Sequence, residues 1–431
     1  MSAASRLTLL TTATAALLLP SAAQSAAFYL QEQSVKGAGR AFSGEVADTG
    51  PESLWWNPAS IAGIATGSAY LGASAILPKG HVSDRGTRIV RPGQAPAGVG
   101  GDPVSVDPID NGVVPSGAVA MPLNDRVAIG LAVTSPYSFT TNYEADSWAR
   151  YTADKTKLRT IDIQPSVAFA ATDWLRIGAA LNVEYSDATL SNKLPNLSPL
   201  LPDGEQTLKG DGWDLGWSAG AQLHNERVTL GVSYKSSIKH KLDGTVETEG
   251  LAGPLAGQNA KVDAVARFRT PWQATAGLRF AATDKLTLNG QVSRFGWNKF
   301  DAIRLGAPLN VAIPENYRNT WSFAGGVDYA LSPKLTVRGG VQHDQSPTQN
   351  GERDARVPDS DRWNFALGAS YNVTPAFTID ASANYIDFKN ASIDRTTAAY
   401  AGSPVQTPIL VSGELENAHA VVLGLGGRLS F

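Results

Sequence analysis

The stretch Trp213-Asp214-Leu215-Gly216-Trp217-Ser218-Ala219-Gly220-Ala221-Gln222-Leu223 decides the fold. In an extended chain Trp213, Leu215, Trp217, Ala219, Ala221 and Leu223 share one face, and Asp214, Gly216, Ser218, Gly220 and Gln222 share the other. Side chains alternate between faces only in a strand, so the period of two predicts strand rather than helix. The pattern recurs. Leu286, Leu288 and Val292 oppose Thr287, Asn289, Gln291 and Ser293. Phe377, Ile379, Ala381, Ala383 and Tyr385 oppose Thr378, Asp380, Ser382 and Asn384, and Val421, Leu423, Leu425, Leu429 and Phe431 close the chain in the same way.

Extending this reading predicts about fourteen strands, at 66–77, 114–122, 126–135, 157–171, 174–190, 211–223, 227–242, 262–282, 285–299, 318–331, 334–344, 362–373, 376–391 and 418–431. Short turns at Asn124-Asp125, Thr172-Asp173, Asn225-Glu226, Thr283-Asp284, Ser332-Pro333 and Thr374-Pro375 alternate with long polar loops at 78–113, 191–210, 243–261, 345–361 and 392–417. Strands joined by short turns on one side and long loops on the other mark a transmembrane β-barrel. Lipid offers no hydrogen-bond partners, so the strand edges must pair by closure. An even strand number places both chain ends on the short-turn side. A soluble β-sandwich does not require that alternation, and a propeller requires a repeat of ~40 residues that is not found.

Composition agrees with this class. Of 431 residues 17% are charged, against ~25% in a typical soluble domain, while glycine (42) and tryptophan (10) are plentiful. The formal net charge of −3 gives no attraction for nucleic acid. The absence of cysteine excludes disulfides and thiolate metal sites. Arg6, the apolar run Leu7–Leu19 and the small residues from Ser21 to Ala27 predict a signal peptide over 1–27, cleaved near Ala26 or Ala27.

Apparent enzyme chemistry mostly dissolves in this setting. Gly216-Trp217-Ser218-Ala219-Gly220 matches G-x-S-x-G, but that motif needs a strand-to-helix turn, and here it lies within a strand. His81, His224, His240, His343 and His419 show no ligand spacing, so no metal or cofactor is expected. Gly37-Ala38-Gly39-Arg40 lacks the strand before it and the Lys-Ser/Thr after it that a phosphate loop needs. Residues 28–65 do not alternate, and a barrel of fourteen strands has a lumen to fill. The segment is therefore read as a plug, or hatch, with the barrel proper at 66–431. Within it Asn57-Pro58-Ala59 follows Trp55-Trp56: an Asn N-cap and a Pro at the first helical position start a short helix.

Several stretches resemble the FadL-type outer-membrane transporters of long-chain fatty acids and hydrocarbons. They are Phe28–Ser34, Gly37–Glu45, Asn57-Pro58-Ala59, Trp148-Ala149-Arg150-Tyr151 with Lys155–Leu158, Trp213–Gly220, Tyr234–Leu242 and Asp359–Arg362, all in family order. The resemblance implies an all-β, fourteen-stranded antiparallel transmembrane barrel plugged by an N-terminal hatch with short helices. It implies passive uptake of a hydrophobic ligand through an apolar pocket, movement of the hatch and lateral exit into the membrane. By position Phe28 would line the pocket, Ser135 would be a further ligand-binding candidate, and Ser135-Pro136 would mark a kink in strand three. Pro136 has no N–H to give a ladder, and either interrupts that strand or ends it. Arg150 and Lys193 are the basic candidates for a ligand carboxylate, and Asn57, Pro58 and Ala59 for gating. Where the family carries a further lysine, ahead of strand ten, this chain has Val311-Ala312-Ile313-Pro314, so an uncharged hydrocarbon is the alternative ligand. Expected partners are the hydrophobic ligand, outer-membrane lipid and lipopolysaccharide, and the barrel-assembly machinery, the protein acting as a monomer in the outer membrane. The rival classes are a lipid hydrolase of the outer membrane and a general porin.

Overall fold

The structure, a computed structural model, describes residues 27–307 and 309–431, so the expected signal peptide lies outside the described residues except for Ala27. Fourteen strands form one closed antiparallel ring. They are β1 (Ser68–Asp84), β2 (Gly112–Pro122), β3 (Val127–Thr134 and Ser138–Asn142), β4 (Lys155–Ala170), β5 (Leu175–Leu194), β6 (Gly204–His224) and β7 (Val228–Lys235 and Lys239–Glu249). There follow β8 (Ala260–Arg269 and Gln273–Ala281), β9 (Leu286–Phe295), β10 (Thr320–Ala330), β11 (Leu335–Asp344), β12 (Arg362–Thr374), β13 (Phe377–Phe388) and β14 (Thr407–Ser430). Each pairs with its neighbour, and β14 returns to β1 in a register that sets Ser68 opposite Ser430. Among the described residues the ring has no free edge along its height apart from one gap described below.

The burial pattern is inverted relative to a water-soluble sandwich. Leu181, Trp213, Leu215, Trp217, Leu367 and Leu425 stand exposed on the outer face, while Gln164, Asn182, Glu184, Ser218, Gln342 and Asp380 are buried toward the axis. Apolar outside and polar inside is the arrangement that lipid selects.

All six short turns sit at the end of the barrel that holds the C-terminus, and each closes on a side chain. Asn124 and Asn225 accept through Oδ1, and Thr172, Thr283, Ser332 and Thr374 through Oγ, from N–H groups two and three residues on. Such side chains mimic a backbone turn, which is why these residues fix tight connections.

Two expected continuous strands, 227–242 and 262–282, are each broken, at Ser236–Ile238 and at Thr270–Trp272. Pro271 supplies no N–H, and hydroxyls take over the missing bonds. Ser236 Oγ accepts from Trp217 N at 2.9 Å, and Ser237 Oγ donates to Thr270 O at 2.6 Å. The expected loop 392–417 is also corrected. Ala391–Ala399 pairs with Thr407–Leu415, so β14 runs 24 residues and rises past the other strands as a hairpin. Residues such as Ile409, Val411 and Leu415 bury one face there against outer loops, so the alternation continues above the lipid.

Inside the ring lie residues 27–66. Ser34 caps helix α1 (Val35–Ala38) by accepting from Gly37 N, and short 3₁₀ turns follow at Glu45–Ala47, Pro51–Ser53 and Pro58–Ile61. The segment touches strands all round the ring: Val35 N donates to Tyr70 on β1, Gln164 on β4 donates to Leu54 O, Gln291 on β9 accepts from Val46 N, and Asn384 on β13 donates to Ala38 O. Only an interior position allows that. Two wall glycines set how closely it seats. A Cβ on Gly340 would stand 2.2 Å from Arg40 O, and one on Gly368 2.6 Å from Gly39 Cα.

Candidate functional site: a sealed gap and an apolar cavity

The ladder between β2 and β3 stops at Gly117 and Val133, and the next pair between these walls is the isolated Ile109–Thr141 bridge. Between them β2 pairs only with β1, and the second half of β3 only with β4. Pro136 sits at the break, within β3 rather than at its end. Thr160 on β4 spans the break from its own side: its Oγ1 accepts from Tyr137 N at 3.0 Å, and its O accepts from Ser135 Oγ at 2.7 Å.

The first described residues fill that gap. Leu30 N donates to Pro136 O at 2.8 Å, Ser138 N to Phe28 O at 3.0 Å, and Tyr29 faces Tyr137 as an antiparallel pair. Gln33 clasps Ser135 twice, donating from Nε2 to its O at 2.9 Å and accepting its N–H on Oε1 at 3.1 Å. Residues 28–33 thus act as a short inserted strand. Ala27 N anchors its start on Asp359 Oδ2 at 2.9 Å, a carboxylate also held by Ser346 and Arg362.

The same residues border a cavity. Phe28 packs edge-on to Trp297 and Phe300, both 5.1 Å between ring centres, and Tyr29 stacks over Trp55 at 6.0 Å. Above Phe28 opens a narrow apolar cavity of about 70 Å³. Its walls include Phe139, Leu158, Leu190, Leu242, Phe268 and Ile303. The inward positions of β4 to β8, which carry polar residues lower in the lumen, are mostly apolar or small here. The polar groups on its lining include Thr156, Glu315 and Arg356.

Arg150 and Lys193 lie elsewhere. Both border a second, polar cavity of about 680 Å³ among the outer loops, with Asp146, Asp203, Glu205 and Glu249. Each already holds a carboxylate, Arg150 with Asp203 at 3.0 Å and Lys193 with Glu205 at 2.6 Å. The structure therefore brings Phe28, Ser135 and Pro136 together at the apolar cavity and the gap, and sets the two basic candidates apart. Glu315 and Arg356 escaped sequence reasoning because each stands in a charged or irregular loop, where nothing in the spacing distinguishes an inward side chain.

The lower part of the plug is fastened by charge and by Asn57. Asn57 Oδ1 accepts from Ala59 N at 3.0 Å, capping the turn that Pro58 starts, while Nδ2 donates to Val46 O at 2.7 Å. The same Nδ2 lies 3.3 Å from Ala221 O and 3.4 Å from Val232 O on the wall. Lys36 holds Glu52 at 2.6 Å and Asp48 at 2.9 Å; Arg40 holds Asp48 at 2.6 Å and also pairs with Glu45. The wall answers with Arg279 on Asp48 at 3.5 Å and Arg428 on Glu52 at 3.3 Å. Removing one partner of such a buried network strands a charge, at about 3–5 kcal/mol. Trp55 adds a face to the ammonium of Lys235, 4.2 Å from its ring centre.

A family model described as outer membrane protein transport protein (OMPP1/FadL/TodX) matches residues 16–431. The chain is 26% identical to outer membrane protein P1 of Haemophilus influenzae, over 97% of this chain and 98% of that one. It is 25% identical to a long-chain fatty acid transport protein of Escherichia coli, over 87% and 90%. The crystal structure of a Pseudomonas aeruginosa FadL homologue superposes with a TM-score of 0.82 at 26% identity, covering 94% of this chain and all of that one.

Proposed function

This chain belongs to the OMPP1/FadL/TodX family of outer-membrane transport proteins, and from that premise we propose that it admits long-chain fatty acids through the apolar cavity, the hatch and the wall gap in turn. In this reading residues 1–27 are the signal peptide, 28–65 the hatch and 66–431 the barrel. One observation carries it: the strand 28–33 both seals the gap between β2 and β3 and, through Phe28, walls the cavity. A ligand that displaces Phe28 withdraws Leu30 from Pro136 and opens the wall beside it. The acyl chain then moves from protein to lipid without returning its apolar surface to water, whose cost is ~25 cal/mol per Å². An open pore offers no such path.

The chain has no cysteine of its own, so a single engineered pair tests the step. Tyr29 and Tyr137 face each other as antiparallel neighbours, a spacing that suits a disulfide. With Tyr29→Cys and Tyr137→Cys, oleate uptake by cells should stop on oxidation and return on reduction. Uptake that continues with the disulfide formed refutes lateral exit. Uncharged hydrocarbons form the second reading, favoured by the apolar walls of the cavity and by the position of Arg150 and Lys193 outside it.

A further inference from the structure

The outward face of β7 and β8 carries an arrangement that a sheet normally avoids. Leu242, Ala264, Ala266 and Phe268 line the cavity, so the alternate residues Lys239, Lys241, Arg267 and Arg269 point out of the barrel. The register sets Lys239 directly opposite Arg269 and Lys241 directly opposite Arg267. Arg304, in the short strand Ala302–Leu305, stands opposite Arg267 on its other side. Like charges directly opposite each other destabilise a sheet, and three such pairs side by side leave a repulsion that an anion relieves. The neighbouring carboxylates do not cancel it. Asp243 is held by Lys241 at 2.9 Å, Asp301 by Arg304 at 2.6 Å and Asp187 by Lys157 at 3.4 Å. Asp211 and Asp263 are exposed on the same face, yet Lys239, Arg267 and Arg269 have no carboxylate within ion-pair distance among the described residues. Lys209 on the outward row of β6 and Arg294 on that of β9 add positive charge at the flanks.

Below these cations, toward the short-turn end, three rings form a row across the same strands. Trp217 on β6 lies 5.3 Å from Tyr234 on β7, which stacks on Trp272, in the break of β8, at 6.2 Å. Outward rings mark the boundary between hydrocarbon and head groups, and the long loops mark the outer side of the membrane. Near the upper ends of β10, β12 and β13 the outward residues are aromatic instead, Trp321, Trp363 and Tyr385, so the cationic group is local to one side of the barrel. Strands lie ~4.8 Å apart, so cations on three of them span about 10 Å, room for two phosphates of one head group. We propose that Lys239, Lys241, Arg267, Arg269 and Arg304 dock the phosphates of lipid A, the membrane anchor of lipopolysaccharide, with its acyl chains along Trp217, Tyr234 and Trp272. The forked guanidinium groups of Arg267 and Arg269 suit phosphate oxygens, and the ammonium of Lys239 adds a point charge beside them. The site belongs to the outer wall and stands whatever passes through the lumen.

The test is native mass spectrometry of the purified full chain in a neutral detergent. The probes are bisphosphorylated lipid A, the same lipid stripped of its phosphates, and phosphatidylglycerol. Lipid A should bind, and removing its phosphates should weaken binding at least about tenfold. Phosphatidylglycerol, with one phosphate, should bind at least about fivefold more weakly than lipid A. Lys239→Gln, Arg267→Gln and Arg269→Gln combined should lose lipid A at least about tenfold. The same loss of charge at the short turns, Arg227→Gln, Lys285→Gln and Lys334→Gln combined, should change it less than about threefold. Absence of lipid A binding by the unaltered chain overturns the proposal, and so does equal binding of the dephosphorylated lipid. Neither outcome needs a variant, so a folding defect in the first triple variant leaves the proposal open to refutation. Equal binding of phosphatidylglycerol overturns the assignment to lipid A. Unchanged binding by the first triple variant, or an equal loss in both, overturns the placement of the site.

Discussion

Asn57 shows how much one side chain can carry when both its ends are used. Its oxygen caps a turn, and its amide reaches the plug's own Val46 and two carbonyls of the wall. Asn57→Ala leaves Ala59 N without its cap and Val46 O with Gln222 alone, at ~1–3 kcal/mol for the unsatisfied group. The expected outcome is a barrel that still assembles, with a looser plug and raised conductance in planar bilayers; wild-type conductance would reduce the motif to a turn. The cap was legible in the sequence because Asn, Pro and a small residue act locally. The wall contacts were not, since Ala221 and Val232 stand more than 160 positions away and offer only carbonyls, which every residue has.

At the scale of elements, the inserted strand 28–33 carries its own titrating group. Glu32 is buried, its Oε2 has no partner, and burial raises it to about 7, with Arg362 opposing and Asp344 adding to the rise. An acid raised on docking favours the docked strand below its free value of 4.5, and that advantage is lost as pH climbs through about 7. The full difference is at most about 3 kcal/mol. Hydrogen exchange of residues 28–34, corrected for intrinsic rates, should therefore show stronger protection at pH 5 than at pH 8. Glu32→Gln should level the two. An equal protection in the unaltered chain would remove Glu32 from the gate. Pro136 made the break in β3 foreseeable, but as an interruption or an end alike; that residues 28–33 occupy it depends on a contact over 100 positions in the chain.

Over the whole molecule, the inverted distribution of side chains states which solvent surrounds it. Leu181 is 58% exposed on the outer face of β5, about midway up the lipid-facing height, whereas Leu200 is 93% exposed in the outer loop between β5 and β6. Exposure alone would rank Leu200→Arg and Leu181→Arg as equally harmless. Lipid predicts otherwise: Leu181→Arg should cost about 2–4 kcal/mol in refolding from urea into vesicles, and Leu200→Arg within about 0.5 kcal/mol. Equal costs would contradict the membrane setting of that face.

What the chain dictated by itself was whatever repeats or acts locally. Alternation at period two, turn residues at six connections and a capped start after Trp55-Trp56 are short-range signals, and from them the barrel, its orientation and the presence of a plug could be read. The tertiary structure alone decided where charges and aromatic rings meet. It set Arg150 and Lys193 against carboxylates of their own, and it turned Glu315 and Arg356 inward from loops whose composition reads as solvated. The physical reason is that ring closure and the seating of the plug join residues hundreds of positions apart. A side chain's partner there depends on which strands are brought opposite, and no local pattern encodes that.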